Sequence, residues 1–340
     1  MNIIMSIVPF LIAKAHANHS KSPTQSQINS MITSERIIDV ENILQNTGYG
    51  KLLNEVRPSV DLPQFEINLR REFARILHVF RTASDNSTRE LLDAFAISIE
   101  ATNMDHIFQA IIRNNVTEDL EKIIIPVGKF GMSHYRRIMD FNNVDTAVDL
   151  IVYPELKIAA TKALQSTSDD DERIFLLSSA FSHAAYSKLG RVAPNWIKTE
   201  ANYLNLETIC RAVNLGIDSD NWLIPKIGSV YKLRKTLSNL NSTRDILTYM
   251  STRMSPSRPL INALNSDDMI SKLEDEVLQL IYYQRFKNFI LYGNRKEAIL
   301  DYFSIKKAEI EDISRILTSK LLHNDQTAEL RRMVYPIYPI

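Results

Sequence analysis

The side chains with the most chemistry to offer are thinly spread. Gly128-Lys-Phe-Gly131 has the outline of a phosphate loop. It lacks both the GxxxxGK[ST] and the GxGxxG spacing, and no strand pattern precedes it, so its amides would not be gathered around a phosphate. His16 and His19 stand three apart on a helical pattern, but no third ligand is in view, and a metal site needs one. Asp169-Asp-Asp-Glu172 is an acidic run. Carboxylates collect at helix starts because the first-turn amides carry partial positive charge, and four in a row do not converge on one cation from there. HExxH, GxSxG and paired-cysteine patterns are absent. The sequence assigns no catalytic, cofactor-binding or metal-binding residue. What remains is a set of like-placed polar groups, Arg113, Asn205, Arg211 and Lys320, whose chemistry is that of contact with a partner.

These groups matter because they recur. Thr199-Glu-Ala-Asn-Tyr-Leu-Asn205-Leu-Glu-Thr-Ile-Cys-Arg211 leads to Leu223-Ile-Pro-Lys-Ile-Gly228, and Glu100-Ala-Thr-Asn103-Met-Asp-His-Ile-Phe-Gln-Ala-Ile-Ile-Arg113 leads to Ile125-Pro-Val-Gly128. Arg113 and Arg211 are 98 positions apart, Pro126 and Pro225 are 99 apart, and Gly128 and Gly228 are 100 apart. A weaker copy spans Lys307 to Lys320, in which Asp312-Ile-Ser-Arg-Ile316 stands for Asn205-Leu-Glu-Thr-Ile209. Each copy is an amphipathic helix with a cation near its end. Two accounts fit those cations: complementing the helix dipole, at about 0.3–1 kcal/mol each, or pointing three equivalent groups at a shared partner.

The elements that must position them are helices. Eight glycines are present among 340 residues, where average usage of about 7% would give roughly 24. Tight hairpins and phosphate-cradling loops need glycine, and helices joined by polar connections do not. Forty basic and 40 acidic side chains cancel, which argues against nucleic acid as a partner. Cys210, the only cysteine, lies on the apolar side of its helix. It reads as a small buried hydrophobe, and a chain that cannot form an internal disulfide suits a reducing compartment.

In chain order, Met1 to Ala13 is apolar and Ala15-His-Ala17 has the form of a cleavage site, but Lys14 follows the apolar stretch. A secretory signal carries its charge ahead of the core, so a helix interrupted at Pro9 is the favoured reading over a signal peptide. The stretch is too short to span a membrane, which takes about 20 apolar residues. A helix over Ile37 to Leu44 ends at Asn46-Thr-Gly-Tyr-Gly50, whose glycines are expected to supply a left-handed exit. Pro58 and Pro63 bound a linker. Phe65, Leu69, Phe73, Ile76, Leu77 and Phe80 form a helical stripe. A helix over Thr88 to Ile99, capped by Ser87 with Glu90, precedes the first repeated helix. Ile174 to Leu189 is closed by Gly190. Ser255-Pro-Ser-Arg-Pro259 is a linker, and Met269 to Leu291 is the longest helix.

Asp39 to Leu44 is similar to the closing pieces at Asn142 to Asp149 and Ser242 to Leu247. The third copy stops short of such a piece, so the N-terminal ~60 residues are expected to complete it. The expected fold is all-α: residues 61–155, 156–262 and 263–340 form three related helical-bundle units, with residues 1–60 completing the third, around a pseudo-threefold axis.

The order and spacing of Asn205-Leu-Glu-Thr-Ile-Cys-Arg211, its following Ile-Pro-x-x-Gly, and Ala308-Glu-Ile-Glu-Asp-Ile-Ser-Arg-Ile-Leu317 resemble the C subunit of the archaeal and bacterial V/A-type ATP synthases. Its equivalent in eukaryotic vacuolar ATPases is the d subunit. The resemblance runs from about residue 10 to 335. It implies a funnel of three helical units and a non-catalytic, cofactor-free central-stalk role. Such a protein sits peripherally on the cytoplasmic face of the cell membrane without spanning it. It caps the proteolipid ring, receives the foot of the rotor shaft, and couples rotation to proton or sodium ion transport. Two readings from other classes stay open: a soluble helical-repeat scaffold for other partners, and a helical enzyme with an unrecognised pocket.

Overall fold

A computed structural model describes residues 7–128, 131–293, 295–322 and 327–338. Every regular element among them is helical. In order the helices are α1 (Ile7–His19), α2 (Gln25–Thr33), α3 (Ile37–Leu44), α4 (Gly50–Glu55), α5 (Pro58–Ala83), α6 (Asn86–Ile112), α7 (Gly131–Met139), α8 (Val144–Ala147) and α9 (Pro154–Ser166). There follow α10 (Asp170–Val192), α11 (Pro194–Leu215), α12 (Gly228–Ser238), α13 (Thr243–Ser251), α14 (Arg258–Leu264), α15 (Met269–Leu291), α16 (Glu297–Leu321) and α17 (Thr327–Met333). No helix among the described residues is long and apolar enough to cross a membrane.

The chain divides into two compact units. The first comprises Met1–Leu92, Glu118–Val127 and Tyr282–Ile340, and the second Asp93–Thr117 and Gly128–Ile281. In the first, α5 lies along α16, and α1 and α3 also pack on α16. The stripe of α5 is buried at Phe65, Leu69, Phe73, Leu77 and Phe80. Phe303 of α16 meets Phe73 and Phe80 edge to face at 5.8 and 5.1 Å, and Tyr302 stacks on Phe80 at 5.8 Å. Such pairs contribute about 0.5–1.5 kcal/mol each beyond the area they bury. On α16 the apolar stripe is buried at Ile310, Ile313, Ile316 and Leu317, and the helix's last residue, Leu321, is exposed.

In the second unit α9, α10 and α11 pack in succession, and α11 also packs on α12 and α13. Leu206, Ile209 and Cys210 of α11 join Leu237, Ile246, Leu247, Met250 and Leu260 in one core cluster. Cys210 is fully buried, and desolvation pushes its thiol up to about 12. It is an inert packing residue.

Several local expectations are corrected. The described part of α1 includes Pro9, and the apolar stretch before Ile7 lies outside the described residues. Pro58 starts α5 rather than bounding a linker, and the irregularity is confined to Asp61, two residues before Pro63. Thr88 to Ile99 and the first repeated helix are one helix, α6. Its cap is Asp85, whose Oδ1 accepts the Thr88 amide at 2.8 Å, and not Ser87. The acidic run does start α10, with Asp169 accepting the Glu172 amide.

The glycines act mainly by permitting close approach. Gly190 lies inside α10, where a Cβ would fall 2.4 Å from the Ile227 side chain. Gly48 and Gly50 provide no left-handed exit. The Gly48 amide donates to the Lys21 carbonyl at 2.7 Å, and a Cβ on Gly50 would fall 2.4 Å from the Gln45 carbonyl oxygen. Helices α2, α9, α14 and α17 lack a long apolar stripe and were not expected. The segment Gly128-Lys-Phe-Gly131 lies partly outside the described residues.

The cap assignment is testable by denaturant unfolding. Asp85→Ala should cost about 1 kcal/mol, whereas Ser87→Ala should change stability by less than about 0.5 kcal/mol.

Candidate functional site

Each of the three repeated helices carries two polar side chains three residues apart, which places them on one face. The pairs are Glu100 and Asn103 on α6, Asn202 and Asn205 on α11, and Glu309 and Asp312 on α16. All but Asn202 are buried to within 2% exposure. Groups so buried must be hydrogen-bonded or they destabilise the fold, so the segments that satisfy them are fixed in place.

On α11, Asn205 holds the backbone of the Ile-Pro-x-x-Gly segment. Its Nδ2 donates to the Ile224 carbonyl at 3.0 Å, and its Oδ1 accepts the Ile224 amide at 2.6 Å. Asn202 Oδ1 accepts the Val230 amide at 3.1 Å. Gly228 sits between them at φ +80°, where an added Cβ would fall 2.0 Å from Asn202 Oδ1. Here both the backbone angle and the space demand glycine. On α6, the Tyr135 hydroxyl donates to Glu100 Oε2, and Asn103 Nδ2 donates to the Tyr135 oxygen at 3.3 Å. Burial raises the Glu100 carboxyl above the ordinary range against the bonds from Tyr135 and Asn103.

On α16, Asp312 Oδ2 accepts the Tyr335 amide at 3.0 Å and the Tyr338 hydroxyl at 2.8 Å. Desolvation pushes this carboxyl up, with the two donors and Arg315 opposing. Glu309 accepts from the Tyr49 hydroxyl and, at 2.8 Å, from Lys306 Nζ. Lys306 also donates to the Tyr49 oxygen at 2.8 Å. Burial works to raise the Glu309 carboxyl, but the Lys306 charge and the bonds from Lys306 and Tyr49 hold it below its ordinary value. The partner of the third helix thus comes from the N-terminal stretch.

The four groups singled out from the sequence fall into two kinds. Asn205 and Lys320 are interior: Lys320 is 8% exposed, and its Nζ donates to the Ile32 carbonyl at 2.6 Å. Both fasten segments of the chain and do not face outward. Arg113 is exposed, just past the end of α6. Arg211 is half-exposed and pairs with Glu207 at 2.8 Å, with Glu274 at 4.0 Å, an exposed i,i+4 pair of about 0.3–0.5 kcal/mol. Sequence reasoning missed Tyr49, Tyr135, Asn202 and Glu309. The x-x spacing of the polar pairs was visible, but alignment of the first copy on Arg113 and Arg211 set Asn103 out of register. Among the described residues no group of three His, Cys, Asp or Glu side chains is placed to hold a metal ion.

Asn205→Ala strands the Ile224 amide and carbonyl and should cost about 2–5 kcal/mol. Gly228→Ala, at a positive φ against Asn202, should cost more than about 1 kcal/mol. Arg211→Ala should stay within about 0.5 kcal/mol. Urea unfolding midpoints check all three. Glu309 is held below its ordinary 4.5, so its ionised form contributes stability that is present above pH ~4.5 and lost as pH falls through the folded value. The midpoint difference between the native chain and Glu309→Gln should therefore be largest near neutrality and shrink below about pH 4.

Comparison with curated proteins found no match. The family model described as ATP synthase (C/AC39) subunit matches residues 11–330. That span takes in all three clamped helices, and the chain belongs to the C/AC39 family of V-type ATP synthase subunits.

Proposed function

We propose that the chain is a non-catalytic central-stalk subunit of a rotary V/A-type ATP synthase or ATPase. It acts as a socket that joins the rotor shaft to the membrane proteolipid ring while ATP chemistry is coupled to proton or sodium ion transport. The observation that carries this reading is the family match over nearly the whole chain. The architecture suits it. A torque-bearing adaptor needs elements that do not slide past one another, and buried polar clamps on α6, α11 and α16 resist sliding because any shift strands desolvated groups. In this reading the three repeats form a funnel, and the protein lies peripherally on the cytoplasmic face of the membrane. The exposed cations Arg113 and Arg211 contact a partner directly, while Asn205 and Lys320 support the contact by fixing the segments they hold.

The test is affinity purification of the tagged chain from solubilised membranes. Recovery of the proteolipid and rotor-shaft subunits is expected. A chain recovered alone, or with unrelated soluble partners as a helical scaffold would be, overturns the assignment. Arg113→Ala combined with Arg211→Ala should lower recovery of the shaft several-fold while the unfolding midpoint stays within the small change expected of exposed side chains.

A further inference from the structure

Within the first unit, α1, α5, α16 and the turn at Gly48 and Tyr49 enclose a cavity of about 370 Å³. Its walls differ in character. Leu69, Ile76 and Val79 of α5 give apolar lining, interrupted by Glu72 and Arg75 of the same helix, while Lys14, Lys21 and Tyr302 give polar lining from elsewhere. The charge around it does not balance. Arg75 is held by Glu72 through two bonds of 2.6 and 2.7 Å, and Lys306 is held by Glu309. Lys14 and Lys21 have no carboxylate partner among the described residues. Lys14 Nζ stands 5.5 Å from the centre of the Phe80 ring.

A second feature is independent of charge. The Tyr302 hydroxyl is buried, with the residue 1% exposed, and it meets no partner in hydrogen-bond geometry among the described residues. A buried hydroxyl left so is destabilising until a hydrogen-bonding group reaches it. Its neighbour Asn18 also lines the cavity and opposes the upward push that burial gives the phenol. A hydroxyl without a partner and two ammonium groups without a carboxylate partner line one cavity, and such donors suit an anionic oxygen, with Glu72 and Glu309 acting against it at Tyr302. The apolar side chains of α5 call for hydrocarbon. The volume lies near the lower end of the ~300–1,000 Å³ usual for small-molecule sites, which suits a short chain or a small ring system.

We propose that this cavity binds a small amphipathic anion. A carboxylate or phosphate head is held by Lys14, Lys21 and the Tyr302 hydroxyl, and the apolar body lies against Leu69, Ile76 and Val79. The site is separate from the surface arginines assigned to partner contact, and it stands or falls independently of the rotary role.

Isothermal titration calorimetry on the full chain tests it with decanoate, decyl phosphate, inorganic phosphate and decylamine as probes. Decanoate or decyl phosphate should bind at one site per chain. Whichever binds more tightly identifies the head group. Inorganic phosphate should be at least tenfold weaker, and decylamine should not bind. Lys14→Gln with Lys21→Gln should weaken binding at least tenfold. Lys21 is exposed and Lys14 half-buried at the Phe80 ring, so an unchanged urea midpoint is checked for that variant before its affinity is read. Tyr302→Phe retains the ring against Phe80 and Phe303 and should weaken binding about threefold. Absence of binding by either decyl anion overturns the proposal. So does affinity unchanged in the double variant, or inorganic phosphate binding as tightly as decyl phosphate.

Discussion

The constraint on which the rest of this structure depends is the burial of polar side chains on one face of each of three long helices: Glu100 and Asn103, Asn205, and Glu309 and Asp312. A desolvated amide or carboxylate without partners costs several kcal/mol, a large part of the net stability of a domain. The chain meets that demand by delivering a backbone segment or a tyrosine to each pair. Asn205 takes both polar groups of Ile224, Glu100 and Asn103 share Tyr135, and Asp312 takes Tyr335 and Tyr338. Segments that would otherwise be loops of free conformation become fixed parts of the interior. Ile224 and Tyr335 are accordingly buried to 2% and 4% exposure.

Helix α16 carries this furthest, because its two clamps draw in both ends of the chain. Glu309 is met by Tyr49 from the N-terminal stretch, and Asp312 by residues near the C-terminus. Lys320, farther along the same helix, takes the Ile32 carbonyl. The first unit is therefore held by contacts that are very distant in sequence, and α1 and α3 lie on α16 as a consequence. Glu309 and Glu100 occupy like positions, yet their carboxyls shift in opposite directions. The difference is Lys306, which pairs with Glu309, whereas the described partners of Glu100 and Asn103 meet at the Tyr135 hydroxyl. The same polar positions are thus built in one case with an adjacent ammonium group and in the other with hydroxyl and amide donors.

Much of the helical content was legible, and for a physical reason. Residues such as Phe65, Leu69, Phe73 and Phe80 recur at the period of a helix because one face must be buried, and that face is indeed in the core. The acidic start of α10 was legible because its carboxylates answer local amides. Features decided by distant neighbours were not. Gly190 looks like a helix stop in sequence, but the approach of Ile227 sets its identity. Lys320 looks like a cation at a helix end, but the Ile32 carbonyl draws it inside. The pairing of Tyr49 with Glu309 leaves no local trace, since each residue alone is an ordinary side chain. Arg113 and Arg211, read from sequence as helix-end cations that either complement the dipole or meet a partner, are exposed.

Hydrogen exchange at the amides of Ile224 and Tyr335 tests the clamps most directly. Each amide lies outside regular secondary structure and donates to a side chain of a long helix, Asn205 in one case and Asp312 in the other. Protection matching that of the central amides of α11 and α16 is the expected result, because each segment can open only when its helix face opens. Exchange at the rate of free loop amides while those helices remain protected would contradict the account.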